Sequence, residues 1–153
     1  MDRDGAAPSD DLVVYTDGAC RGNPGPGGWA ALIFEGGAER AVSGAEPHTT
    51  NQRMELMAAI EGLAVLETGR RVALYTDSSY VMNCFRDRWW EKWERNGWLG
   101  STRQPVTNRD LWERLIAETR RHEVSWFKVK GHSGHPLNDR VDLLARQAIT
   151  TLG

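Results

Sequence analysis

The chain opens its ordered pattern with an apolar run, Leu12-Val13-Val14-Tyr15-Thr16, that stops on Asp17 and Gly18. A β-branched and aromatic run closed by a turn residue predicts a buried strand. Trp29 to Phe34 reads as a second strand, Gly36-Gly37 as a turn, and Ala38 to Gly44 as a third strand antiparallel to the second. Pro47 to Gln52 is polar and reads as a loop. The period then changes. From about Asn51 to Leu66, Leu56, Ile60 and Leu63 follow i, i+4, i+7, which predicts a helix that Gly69 ends. Val72 to Asp77 reads as another strand, and Ser78 to Phe85 as a helix with Val81, Cys84 and Phe85 inward. Thr107-Asn108-Arg109-Asp110 has the form of a capping box opening a helix over Leu111 to Arg121. Val124 to Val129 is the last strand. The final helix opens near Asn138, with Val141, Leu144, Ala145 and Ala148 on its core face.

Two of these strands finish in the same tripeptide, Tyr15-Thr16-Asp17 and Tyr75-Thr76-Asp77. A helix between them implies a crossover, so they can lie parallel and adjacent. Their C-terminal ends then share the edge where open α/β sheets place ligands. Asp17 and Asp77 would sit side by side there. Paired carboxylates repel and are hard to keep ionised without a cation, which suits a hard divalent metal with oxygen ligands.

Length and composition fit one domain with an ordinary core: 153 residues, 40% hydrophobic and 26% charged. Residues 1–10 are expected to form a frayed tail and 11–153 a single domain. The acidic, small-residue-rich Met1 to Asp11 stretch lacks an apolar segment, so neither a secretory signal nor a membrane span is expected. Cys20 and Cys84 follow no metal-ligand spacing and are expected as reduced intracellular thiols. The net charge of -2 hides an asymmetry. Residues 1–85 hold 6 basic and 12 acidic side chains, whereas residues 86–130 hold 11 and 7. An acidic half beside a basic segment fits a metal site next to a polyanion-binding surface, with random surface charge as the alternative.

Other candidates sharpen the picture. Gly18 to Gly28 reads as a tight Gly/Pro-punctuated loop near a ligand, with a plain hairpin turn as the alternative. It lacks the Walker ending and the GxGxxG spacing, which excludes a nucleotide phosphate loop. Glu55, read in the first turn of its helix, is either a favourable helix-dipole charge or a third metal ligand. Asp142 poses the same choice at the start of the last helix. Trp89 and Trp93 stand at i, i+4 among Lys92, Arg95 and Trp90. That arrangement suits stacking on nucleic acid beside phosphate contacts, the alternative being a buried helix face. His132 lies between glycines; a histidine's ordinary pKa is near neutral, which suits proton movement, the alternative being a solvated loop histidine.

Together these pieces closely resemble ribonuclease H of type 1. The likeness is carried by Thr16 to Gly28, Thr49 to Glu55, Thr76-Asp77-Ser78, and Val129 to Pro136 with Asn138 and Asp142. It runs from about Leu12 to Ile149. The resemblance implies an α/β ribonuclease H-like fold, a five-stranded mixed sheet of order 3-2-1-4-5 with helices on both faces. It implies an endonuclease that hydrolyses the RNA strand of RNA–DNA hybrids with two Mg²⁺ ions (Mn²⁺ being possible), leaving 3′-hydroxyl and 5′-phosphate ends. It casts Asp17, Glu55, Asp77 and Asp142 as metal carboxylates and His132 as a mobile catalytic histidine. Asn23, Asn51 and Gln52 fall where the family contacts the RNA strand, Thr50 and Asn108 where it grips a DNA phosphate, and Trp89 and Trp93 on the DNA-strand channel. Three positions depart from the pattern. Gln52 stands where most relatives have Asn, His48 where many have Arg, and Ser79 where Gln is frequent. Glu94-Arg95-Asn96 replaces a lysine-rich protrusion, which implies a weaker electrostatic hold on the hybrid. The expected setting is a cytoplasmic monomer without an obligate protein partner. A non-catalytic hybrid-binding module and another metal-dependent nuclease on the same fold are the rival readings.

Overall fold

Leu12 and Val14 are fully buried on one side of the first strand and Tyr15 is buried on the other. Such a strand must be covered on both faces, and it takes the middle of the sheet. In the computed structural model, which describes residues 11–129 and 135–152, this strand is β1 (Asp11–Cys20). It pairs antiparallel with β2 (Gly25–Glu35) and parallel with β4 (Arg71–Thr76). β3 (Ala38–Thr49) and β5 (Glu123–Lys128) complete a five-stranded sheet of order β3-β2-β1-β4-β5, as the resemblance implied. Tyr15 pairs with Tyr75 and Thr16 with Thr76. The repeated tripeptide is therefore in register, which sets Asp17, still paired with Ala30 of β2, beside Asp77 just past the end of β4.

Helix α1 (Asn51–Ala64) is the crossover between β3 and β4. Its Leu56, Ala59, Ile60 and Leu63 pack with Leu12, Val14, Ala31 and Ile33 on one face of the sheet. Helices α2 (Ser79–Arg86), α3 (Trp89–Asn96) and α4 (Arg109–Arg121) extend that layer. The opposite face is covered by α5 (Pro136–Thr150), whose Val141 and Ala145 meet Tyr15, Ala30 and Leu32.

Several expected boundaries moved, for physical reasons. The glycines of the Gly18 to Gly28 stretch mostly lie inside strands, because β1 continues to Cys20 and β2 starts at Gly25. They are there for close packing. A Cβ on Gly18 would lie 2.5 Å from the Glu55 backbone nitrogen, and one on Gly28 would lie 2.2 Å from the Ala145 carbonyl oxygen. Each glycine thus lets a helix backbone settle onto the sheet. The third strand runs to Thr49 rather than Gly44, so Pro47 to Thr49 is strand and Thr50 is the N-cap of α1. Helix α1 ends at Ala64, and Gly69 (φ 88°) lies in the turn beyond it. The capping box does not form. Asn108, rather than Thr107, is the N-cap of α4, in the left-handed region (φ 64°), and its side chain makes no cap bond because it is held by Arg53 and Tyr80, while Asp110 pairs with Arg53.

Candidate active site

Four carboxylates arrive at one sheet edge from four elements. Asp17 is near the end of β1, Asp77 directly follows β4, Glu55 projects from α1 and Asp142 from α5. Glu55 and Asp142 lie one turn or more inside their helices rather than in the first turn, where the dipole reading placed them. The Gly18 N–H donates to Glu55 Oε1 at 2.8 Å, a bond that the bare Cα of Gly18 makes reachable. Ligand oxygens of Asp17, Glu55 and Asp77 all lie within 4.8 Å of one another. A cavity of about 210 Å³ is lined by these three with Gly18, Asn51, Asn138, Asp139 and Asp142.

The electrostatics are those of a site short of positive charge. Burial first, then the Glu55 and Asp77 charges, pushes the Asp17 carboxyl well above the usual carboxylate range. Asp142 is within hydrogen-bonding reach of Asp17 and pushes the same way. Burial, then Asp77, raises Glu55, although the Gly18 N–H partly offsets this. Protons thus stand in for cations. A donor set of crowded carboxylate oxygens, with Asp17 and Glu55 raised in pKa, fits a hard dication with oxygen ligands. Arg146, one turn on in α5, bonds to Asp142 from the solvent side.

The expected substrate residues fall in two groups. Asn23, in the β1–β2 turn, accepts a hydrogen bond from the Asn51 N–H at 3.1 Å through Oδ1. Asn51 also lines the acidic cavity, and Gln52 is exposed beside it. Thr50 caps α1, its Oγ1 accepting from the Arg53 N–H at 3.2 Å. Asn108 is held from both ends. Its Oδ1 accepts from Arg53 Nη1 at 3.2 Å, and its Nδ2 donates to Tyr80 Oη at 3.1 Å. Tyr80 Oη in turn accepts from Trp112 Nε1 at 3.0 Å. Trp89 and Trp93 are half-buried, with ring centroids 6.3 Å apart. They line a groove of about 440 Å³ with Lys92, Asn96, Leu99, Gly100 and Ser101. Both also pack against the main core, so the two readings offered for them, stacking face and buried helix face, do not exclude each other. His132 lies outside the described residues.

Sequence reasoning missed the supporting cast. Asn138 and Asp139 line the cavity, and their i, i+4 and i, i+3 spacing to Asp142 was the available signal. Arg53, Tyr80 and Trp112 fix Asn108 through contacts between distant parts of the chain, which no local pattern announces.

The family model described as RNase H matches residues 9–150. Ribonuclease H of Moorella thermoacetica is 56% identical over 142 residues, covering 93% of this chain and 93% of that protein. Ribonuclease H of Symbiobacterium thermophilum is 52% identical over 139 residues, covering 91% and 95%. Among solved structures, LC9-RNase H1, a type 1 RNase H with the type 2 active-site motif, superposes with a TM-score of 0.81 at 34% identity, covering 96% of this chain and 75% of that one. LC11-RNase H1, solved in complex with RNA/DNA hybrid, shares the fold at a TM-score of 0.64 and 21% identity, covering 92% and 98%. With its sheet order, its convergent carboxylates and these likenesses, the chain belongs to the RNase H family, type 1.

Proposed function

We infer that this protein is an endonuclease that hydrolyses the RNA strand of RNA–DNA hybrids, with residues 11–153 acting as one catalytic domain. Family membership supports the reaction class. The observation that carries the site is the convergence of Asp17, Glu55, Asp77 and Asp142 on one cavity beside Asn51. In this reading the four carboxylates hold two Mg²⁺ ions, which Mn²⁺ can replace. Dications held there would favour deprotonation of a water adding to phosphorus and would offset charge on the departing 3′-oxygen; breaking the P–O3′ bond leaves the 3′-hydroxyl and 5′-phosphate ends of this reading.

The chain's own residues do the rest. Asn23, coupled to Asn51 by hydrogen bonding, and Gln52 read the RNA strand; the 2′-hydroxyl is what separates RNA from DNA at such a position. Thr50 and Asn108 take a phosphate of the DNA strand, with Asn108 held ready by Arg53 and Tyr80. Trp89 and Trp93 offer ring surface to the same strand. His132 is assigned the movement of a proton during turnover or product release. Among the described residues no helix is long and apolar enough to cross a membrane. The same reading places the enzyme in the cytoplasm, as a monomer without an obligate protein partner.

A uniformly labelled RNA, offered paired with DNA, paired with RNA and single-stranded, tests the reading. Cutting of the hybrid alone, supported by Mg²⁺ and stopped by chelator, is expected. Cutting of duplex DNA would indicate another nuclease on this fold. Binding of hybrid without cutting would indicate a binding module.

A further inference from the structure

Most arginines of the basic segment are already spent. Arg86 pairs with Asp87, Arg88 with Glu91, Arg109 with Glu113, Arg114 with Glu61, Arg120 with Glu94 and Arg121 with Glu118. Lys128 differs. It ends β5 in register with Thr76, the residue before Asp77. Its exposed ammonium donates to Ser79 Oγ at 2.9 Å, and among the described residues it has no carboxylate partner. A lysine carries three N–H donors, so two remain for a ligand. Ser79 opens α2, at the helix end that favours anions.

Position decides what that ligand is. Across the sheet edge the order is Asn23 beside β2, Asp17 on β1, Asp77 on β4, then Lys128 on β5. A strand read at Asn23 and cut between Asp17 and Asp77, continuing in the same direction along this edge, crosses the end of β5. Ser79 is two residues beyond Asp77, a span of at most ~7 Å. The ammonium is thus placed for a phosphate of the same strand close to the scissile one.

We propose that Lys128, seated on Ser79, is a contact for an RNA-strand phosphate on the β5 side of the acidic cavity. It is a substrate-positioning cation for the reaction inferred above, and it rests on that reading. The contact is electrostatic and sequence-independent. It acts in binding rather than in the chemical step.

The test compares wild type, Lys128→Ala and Lys128→Arg on a labelled hybrid with Mg²⁺ over a range of salt. Lys128→Ala is expected to raise KM about fivefold at low salt, to leave kcat within about twofold, and to reduce the salt slope by about one. Lys128→Arg is expected to restore all three. A series of hybrids carrying one uncharged methylphosphonate in the RNA locates the contact. At one position the wild type is expected to lose what Lys128→Ala has already lost, and the variant to lose nothing more. An unchanged KM and salt slope in Lys128→Ala overturns the proposal, as does a variant that responds to every methylphosphonate like the wild type. If the wild type does not cut hybrid at all, it is the functional reading that fails. If the wild type cuts and Lys128→Ala matches it, only this contact fails.

Discussion

Asp17 is 4% exposed and faces three other carboxylates, so its negative charge is costly in the metal-free protein. Asp17→Asn is expected to reduce turnover about a thousandfold or more, yet to stabilise the metal-free fold by about 1–3 kcal/mol at neutral pH. Thermal melting in chelator checks the second half; a variant that melts lower than wild type contradicts the charge-crowding argument. The pH dependence has the same origin. Asp17 and Glu55 start from ordinary values of 3.8 and 4.5 and are raised on folding. The unfolded chain therefore loses these protons first. Their contribution to stability is intact below about pH 4 and declines as pH rises toward the folded values. Metal-free protein is thus expected to melt progressively lower between about pH 4 and 8, and saturating Mg²⁺ to reverse much of that fall. Melting curves across pH, with and without Mg²⁺, read both effects. The paired aspartates were legible from the sequence because each is tied to a local strand-ending pattern. Arg53 and Tyr80 were not, because their partner Asn108 is brought to them by packing between distant segments.

The elements make the site by their closeness. Helix α1 touches β1 at Gly18, where any side chain collides with the backbone of Met54 and Glu55. Gly18→Ala is expected to destabilise by about 3 kcal/mol. It also displaces Glu55 from the Gly18 N–H, so activity should fall further than stability; melting and turnover on the same sample compare the two. At the other end of the network, Arg53 bridges α1 to Asn108 and Asp110 at the start of α4. The ion pair is partly exposed, 33% and 64%, so Arg53→Ala should cost no more than about 1 kcal/mol of stability. It should raise KM for hybrid by releasing Asn108, while kcat changes little. Strand and helix types were readable from periodicity for most elements, but α3 was legible only as a Trp89/Trp93 face. Boundaries failed where an interaction across the fold outcompeted a local signal. Asp110 left its expected cap for Arg53, and the glycines of Gly18 to Gly28 proved to be contact surfaces for α1 and α5 rather than a loop.

In the whole molecule, α1 and α5 lie on opposite faces of the sheet and reach the same edge. The four carboxylates belong to residues 17, 55, 77 and 142 and meet only when the sheet is complete. The surface around them is less cationic than the count of 11 basic residues in 86–130 suggests, because so many arginines are paired internally. Few phosphates can then be neutralised, and the plot of log KM against log salt is expected to have a slope of magnitude no more than about 3–4. The most direct test of the central claim is calorimetric titration of Mg²⁺ or Mn²⁺ into the metal-free protein, repeated in buffers of different ionisation enthalpy. If the carboxylates are a cation site held by protons until metal arrives, binding at neutral pH must release protons, and Asp17→Asn must weaken binding and shrink that release. Absence of binding, or binding with no proton release that Asp17→Asn leaves unchanged, would contradict the account.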